Sequence, residues 1–80
     1  MNPSELLISS LLSARDALRQ LDKLGAVAPV LFVEDKGQII GSLTDGDIRR
    51  GLIQHLSIDD SVTRFMFPNF RFFSPSFGYQ

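Results

Sequence analysis

Two apolar segments separated by a short polar turn constrain the fold of this chain most. Residues 28–34 are rich in Val, Leu and Phe, and residues 39–43 form a second apolar run after a turn that contains Gly37. Continuous apolar runs of this length are typical of strands that are buried on both faces. The sequence therefore predicts a hairpin at the centre of the fold.

An amphipathic helix is predicted before this hairpin. It begins at Ser13, whose spacing to Asp16 resembles a capping box, and it ends at Gly25, a residue favoured at helix C-termini. Its apolar residues recur at intervals of three and four, which places them on one face of a helix: Ala14, Ala17, Leu18, Leu21 and Leu24. A short apolar run at residues 5–8 predicts a strand that precedes this helix.

A second helix is predicted directly after the hairpin. Four candidate N-cap residues precede it, Thr44, Asp45, Gly46 and Asp47. Its interior glycine, Gly51, costs about 1 kcal/mol relative to alanine, and close packing against the other helix would explain it. The predicted class is α/β (α+β): a small three-stranded sheet in strand-helix-strand-strand-helix order, with two helices on one face.

Composition and charge exclude several classes of protein. The 80 residues carry a formal net charge of −1 and no cysteine, which excludes disulfides and thiolate metal sites and favours a cytoplasmic location. The chain lacks the roughly 20 consecutive apolar residues that cross a bilayer, and it lacks a basic block for nucleic acid. Its one histidine, His55, has no partner at metal-ligand or catalytic spacing, so we expect neither a metal site nor an enzyme.

Aromatic residues are concentrated at the C-terminal end. Seven of the eight occur after residue 64: Phe65, Phe67, Phe70, Phe72, Phe73, Phe77 and Tyr79. We expect a short helix or turn over residues 57–66, a strand at residues 70–74, and burial of the aromatic side chains against the sheet or a second copy. Because so small a core gives only about 3 to 5 kcal/mol of stability, the chain is predicted to be a homodimer.

Residues 41–50, Gly-Ser-Leu-Thr-Asp-Gly-Asp-Ile-Arg-Arg, resemble the signature of a cystathionine beta-synthase (CBS) domain. In that family a strand ends in Gly-apolar-x-Thr-x-x-Asp and runs straight into the second helix. Residues 13–18 are similar to the first helix of the same repeat. The resemblance covers residues 6–66. It implies one CBS repeat at residues 1–66, followed at residues 67–80 by an aromatic tail that starts a following repeat or a linker.

The resemblance also implies a function. CBS repeats pack through their sheets into regulatory pairs that bind adenine nucleotides such as AMP in the clefts between them, so the expected partner is a second copy or a second repeat. Residues 44–50, with residues 56–62 after them, look most like CBS pairs attached to bacterial sugar-phosphate enzymes, above all sugar nucleotidyltransferases and, less closely, arabinose 5-phosphate isomerases. The alternative is a purely structural association module that binds no small molecule.

The candidate ligand site lies where the second helix begins. There the unpaired N–H groups and the helix dipole favour phosphate, Thr44 adds a hydroxyl, and the Asp47 carboxylate suits a ribose diol. The resemblance gives the same roles to these two residues. An apolar slot for adenine is expected at Val27, Ala28 and Pro29. In the alternative interpretation, Thr44 and Asp47 only cap their helix.

Two departures from the family pattern favour a nucleoside or monophosphate over ATP. Gly46 occupies a position that is basic in many nucleotide-binding repeats, and Asp45 adds a second negative charge to the turn. Arg49 and Arg50 point about 100° apart on a helix, so we expect at most one of them to face the site.

Overall fold

A computed structural model describes residues 3–25 and 30–68 of the chain. Two helices and four strands are described: β1 (Leu7–Ser9), α1 (Ala14–Leu24), β2 (Val30–Asp35), β3 (Gln38–Thr44), α2 (Asp45–Ile53) and β4 (Phe67–Pro68). Short 3-10 helices at Pro3–Leu6 and Val62–Arg64 precede β1 and β4. The predicted strand-helix-strand-strand-helix order and the α+β class are confirmed.

The sheet has four strands in the order β1-β2-β3-β4, where three were predicted. The β1 and β2 strands are parallel, whereas the other two pairs are antiparallel. The additional strand, β4, is only two residues long and contains Pro68, and neither feature is a strand signal in sequence. The strand expected at residues 70–74 lies outside the described residues.

The first strand begins later than the sequence suggested. Glu5 and Leu6 were predicted as its start, but they belong to the 3-10 helix Pro3–Leu6, and β1 begins at Leu7. The parallel register pairs Leu7 with Phe32, so the strand starts where β2 provides a partner.

The hairpin turn forms as predicted, with Lys36 at φ 52° and Gly37 at φ 83°. Two-residue hairpin turns favour positive φ at both central positions because this geometry matches the twist of the strands. Gly37 adopts it without steric cost.

Both helices pack on the same face of the sheet. One cluster joins buried residues of β1, β2 and β3 to residues of both helices and of the segment after α2: Ile8, Ala14, Ala17, Leu31, Val33, Leu43, Ile48, Val62 and Phe65. Leu31 and Val33 alternate along β2, as expected for one face of a strand. The two helices and the segment that follows them therefore cover this face together.

Phe65 belongs to this core and is only 6% exposed. The aromatic side chains after residue 64 were expected to be buried against the sheet or a second copy, and Phe65 is buried in the chain's own core. A β-carbon placed at Gly51 would collide with the Phe65 ring. Gly51 therefore makes room for Phe65 and not for the other helix, because the 3-10 helix Val62–Arg64 brings the ring against α2.

The opposite face of the sheet carries a second row of side chains. The register aligns Leu7, Phe32, Ser42 and Phe67 across all four strands. Strand alternation directs this row away from the core, and Phe67 is 60% exposed. This face therefore carries apolar side chains that the two helices do not cover.

Candidate functional site

The candidate site is the junction of β3 and α2, where Thr44 is the N-cap of the helix. The Asp47 N–H donates to Thr44 Oγ1 at 3.1 Å, and the Thr44 N–H donates to Asp47 Oδ2 at 2.9 Å. These reciprocal bonds form a capping box, with Asp in the position usually held by Glu or Gln. The structure therefore shows that Thr44 and Asp47 cap their helix, and their role as ligand-binding residues stays a prediction.

Within the capping box, the hydroxyl group of Thr44 both accepts and donates a hydrogen bond. Its oxygen accepts from the Asp47 N–H, while its proton is donated to Asp47 Oδ2 at 3.0 Å. A hydroxyl has only one proton, so Thr44 donates to a phosphate only if this bond breaks. The same oxygen retains one lone pair as an acceptor.

Asp47 is held rigidly, with a side chain that is 16% exposed. Its Oδ2 atom accepts two bonds from Thr44, and its Oδ1 atom accepts from Arg50 Nη2 at 3.1 Å. Since each carboxylate oxygen accepts about two hydrogen bonds, one position on Oδ1 remains for a ligand. The contact with Arg50 was not predicted, although its spacing of three residues in a helix is a recognised signal for ion pairs.

A second ion pair neutralises the other acidic residue of this turn. Arg49 Nη2 donates to Asp45 Oδ2 at 2.6 Å, across one turn of α2. The side chains of Arg49 and Arg50 are 68% and 60% exposed. Of these two arginines, only Arg50 contacts Asp47, because neighbouring residues on a helix point in directions about 100° apart. The two arginines balance the charge of the two aspartates.

The two helix N-termini differ in how their backbone N–H groups are used. At α1, the Ala14 N–H donates to Asp60 O at 3.0 Å and the Arg15 N–H donates to Ile58 O at 2.9 Å. At α2, the N–H of Gly46 has no acceptor among the described residues. Unpaired N–H groups at a helix start attract anions, whereas the acidic side chains of Asp45 and Asp47 in the first turn of α2 oppose them. Among the described residues, backbone carbonyls close the start of α1 but not the N–H of Gly46 at the start of α2.

The capping carboxylate of α1 shows the electrostatic effect of such a box. Hydrogen bonds from the backbone N–H of Ser13, and from its hydroxyl group, lower the pKa of Asp16 below 3.8. Bonds donated to a carboxylate stabilise its charged form, which is the cause of this shift.

The expected adenine-binding residues Val27, Ala28 and Pro29 lie outside the described residues. Residue 30, at the start of β2, pairs with Thr44 in the sheet. The first described residue of β2 is therefore a sheet neighbour of Thr44. The role of residues 27–29 stays a prediction.

Elsewhere in the described residues, a groove of about 500 Å³ lies along α1. It is lined by Glu5, Asp16, Arg19, Gln20, Lys23 and Leu24, and so does not include the candidate site.

Within residues 3–25 and 30–68, no group of three or more His, Asp or Glu residues is arranged to hold a metal ion. His55 is exposed beyond the end of α2, and no helix in these ranges has the length and hydropathy to span a membrane.

Comparisons with known proteins agree with this architecture. A solved structure described as an uncharacterized conserved protein from Pyrococcus horikoshii is 30% identical, with a TM-score of 0.69. The alignment covers 86% of this chain and 52% of the solved one. A protein of Helicobacter pylori strain J99, described as uncharacterized, is 36% identical over 61 residues, which are 74% of this chain and 18% of that protein.

The family comparison is more specific. A family model described as the CBS domain matches residues 1–54, which include β1 to β3, both helices and the candidate site. CBS domains are regulatory modules without catalytic activity of their own, and they typically pair with a second CBS repeat. Since the match spans more than half of the 80 residues, the chain belongs to the CBS domain family.

Proposed function

We propose that this chain is a regulatory module that pairs with a second CBS repeat and binds AMP or a related adenosine monophosphate. The observation that carries the proposal is the start of α2. There the Asp47 side chain, which is 16% exposed, retains one acceptor position, and the N–H of Gly46 in the same turn has no acceptor among the described residues. Such a pair suits a ligand that combines hydroxyl groups with a single phosphate.

The charge of the site supports a monophosphate over ATP. Asp45 and Asp47 are each paired with an arginine, so the four side chains carry no net charge. A triphosphate would bring several negative charges to a site with no excess of positive charge.

Pairing is proposed to use the sheet face that bears Leu7, Phe32 and Phe67. Packing against a second sheet would bury these apolar side chains. A homodimer is the arrangement that the chain forms by itself, and a second repeat takes the place of one copy in a larger protein. The H. pylori relative is consistent with a larger protein, because the matched segment is 18% of its length.

The proposed host is a bacterial sugar-phosphate enzyme, such as a sugar nucleotidyltransferase or an arabinose 5-phosphate isomerase. The support for this host is the resemblance of residues 44–50 and 56–62 to CBS pairs of those enzymes. Ligand binding at the module would then regulate the attached catalytic domain in the cytoplasm.

Calorimetry with adenosine, AMP and ATP tests the ligand. We expect Asp47→Ala to weaken AMP binding by about 1 to 3 kcal/mol, because a charged hydrogen-bond acceptor is removed. Asp45→Ala is the matched control: this carboxylate is also in the first turn of α2, but it is exposed and outside the capping box. Equal AMP affinity in the wild type and Asp47→Ala, with both chains folded, would contradict the proposed site.

Sedimentation equilibrium tests the pairing. We expect the full chain to be a dimer at micromolar concentration and Phe32→Ser to shift it towards the monomer. A folded wild-type monomer at that concentration would contradict self-pairing.

A second candidate function is association without a ligand. The observation in its favour is the capping box, since it already engages the hydroxyl of Thr44 and three of the four acceptor positions of Asp47. Dimerisation together with no heat of binding for adenosine, AMP or ATP would support this function over the first.

A further inference from the structure

Arg50 is the arginine that contacts the candidate site. Among the described residues, its side chain pairs with Asp47. Its Nη2 atom donates to Asp47 Oδ1 at 3.1 Å, and no other acceptor for its side chain lies among the described residues. A guanidinium group has five N–H donors, so most of them are open to solvent or a ligand. The side chain is 60% exposed and is therefore free to change its position.

The contact places Arg50 in competition with a ribose. A vicinal diol donates two hydrogen bonds, whereas Asp47 offers one unused position. A diol that binds through both hydroxyls therefore displaces either the guanidinium from Oδ1 or the Thr44 hydroxyl from Oδ2, and of these two the Arg50 side chain is the exposed one that reaches Asp47 from outside the capping box. When the ligand is an uncharged nucleoside, the displaced Arg50 loses its pairing with Asp47 and gains no new anionic partner.

A phosphorylated ligand changes this balance. The displaced guanidinium remains attached to the helix one turn beyond Asp47, where it can pair with a phosphate. Arginine and phosphate form strong, charge-assisted hydrogen bonds, so the phosphate replaces the carboxylate as the partner of Arg50.

We propose that Arg50 is a specificity-determining residue that selects phosphorylated over unphosphorylated ligands by exchanging its partner from Asp47 Oδ1 to the phosphate. This inference rests on the proposed function, because it concerns the same site.

Arg49 provides a matched control for this inference. It is the neighbouring residue, has a similar exposure, and also pairs with an aspartate of the first turn. Its partner is Asp45, which lies outside the capping box. Replacing Arg49 therefore removes the same charge from the helix without releasing Asp47.

The experiment measures adenosine and AMP affinities by calorimetry for the wild type, Arg50→Gln and Arg49→Gln, all as the full chain. In Arg50→Gln we expect adenosine to bind more tightly and AMP more weakly, so that the preference for AMP falls about fivefold or more. Arg49→Gln is expected to keep the wild-type preference. Circular dichroism verifies that each variant is folded.

The outcomes separate this inference from the proposed function. If the wild type binds AMP and the preference is the same in Arg50→Gln, Arg50 is a surface ion pair only, and the inference is wrong while the ligand site stands. A fall of equal size in Arg49→Gln would show a general charge effect and would also overturn it. If the wild type binds neither ligand, the proposed function fails and the inference fails with it.

Discussion

Gly51→Ala offers a sharp test of the packing between α2 and the segment that follows it. In a solvent-exposed helix this substitution stabilises by about 1 kcal/mol, because alanine is the better helix former. Here the new β-carbon would lie 2.6 Å from Phe65 Cε2 and even closer to Cδ2, and 3.2 Å from Leu56 Cδ1. Both the glycine and the phenylalanine are buried, so the ring has little room to move.

The expected result is a net loss of stability. Overpacking a core costs about 1 to 3 kcal/mol. We expect this cost to exceed the gain in helix propensity, because the new β-carbon meets the body of an aromatic ring. We expect unfolding to require about 1 to 2 kcal/mol less free energy. For a domain of this size, that corresponds to a melting temperature lower by about 4 to 16 °C.

Thermal and urea unfolding followed by far-ultraviolet circular dichroism measure this effect, with every variant at the same concentration because association shifts apparent stability. Gly46→Ala is the matched control in the same helix. Its β-carbon would have Thr44 Oγ1 as nearest neighbour, at 3.7 Å, so we expect stability to be unchanged or raised by up to about 1 kcal/mol.

A double-mutant cycle identifies the cause. In a Phe65→Leu background the smaller side chain leaves space, so Gly51→Ala is expected to cost at least about 1 kcal/mol less than in the wild type. If Gly51→Ala is as stable as the wild type, or costs the same in both backgrounds, the steric explanation for this glycine is refuted.

Two further predictions concern acid stability and the C-terminal end. Asp16 and Asp59 have pKa values lowered by hydrogen bonds from Ser13 and Arg15, so their stabilising effect is present above about pH 4 and is lost as pH falls through their folded-state pKa values. Melting temperatures measured from pH 7 to pH 2.5, roughly, are expected to fall less steeply in Asp16→Asn than in the wild type; parallel curves would contradict this. A chain that ends at Met66 lacks β4 and is expected to melt at a lower temperature and to change its association state, whereas one that ends at Ser74 keeps β4 and is expected to resemble the full chain. Identical melting and oligomer size for chains ending at Met66 and Gln80 would show that the aromatic segment contributes nothing.

The parts of the fold that were predictable are those specified by neighbouring residues. Ser13 and Asp16 lie three residues apart, and both box contacts predicted for them are formed. The turn at Gly37 and the helix end at Gly25 likewise depend on local backbone geometry, and both glycines have positive φ. Local signals of this kind were sufficient to fix the order of the helices and the hairpin.

The features that were missed depend on residues far apart in the sequence. Phe65 was expected to be buried against the sheet or a second copy, but nothing local indicated that it contacts Gly51 in α2. The pairing of β4 with Gly41 and Ser42 joins segments about 25 residues apart along the chain. Contacts of this kind depend on tertiary packing, and the periodicity of apolar residues along the chain does not predict them.

The two capping boxes show why a motif alone did not decide the function of this chain. Ser-x-x-Asp at α1 and Thr-x-x-Asp at α2 form the same reciprocal bonds. At α1 the carbonyls of Ile58 and Asp60, which lie more than 40 residues away in sequence, accept from the first N–H groups of the helix and close its N-terminus. At α2 no carbonyl among the described residues does so for Gly46, and Arg50 lies on the capping carboxylate instead. The same box therefore occurs at a helix start that distant carbonyls close and at one that no described carbonyl closes, so the motif by itself identifies neither a cap alone nor a ligand site.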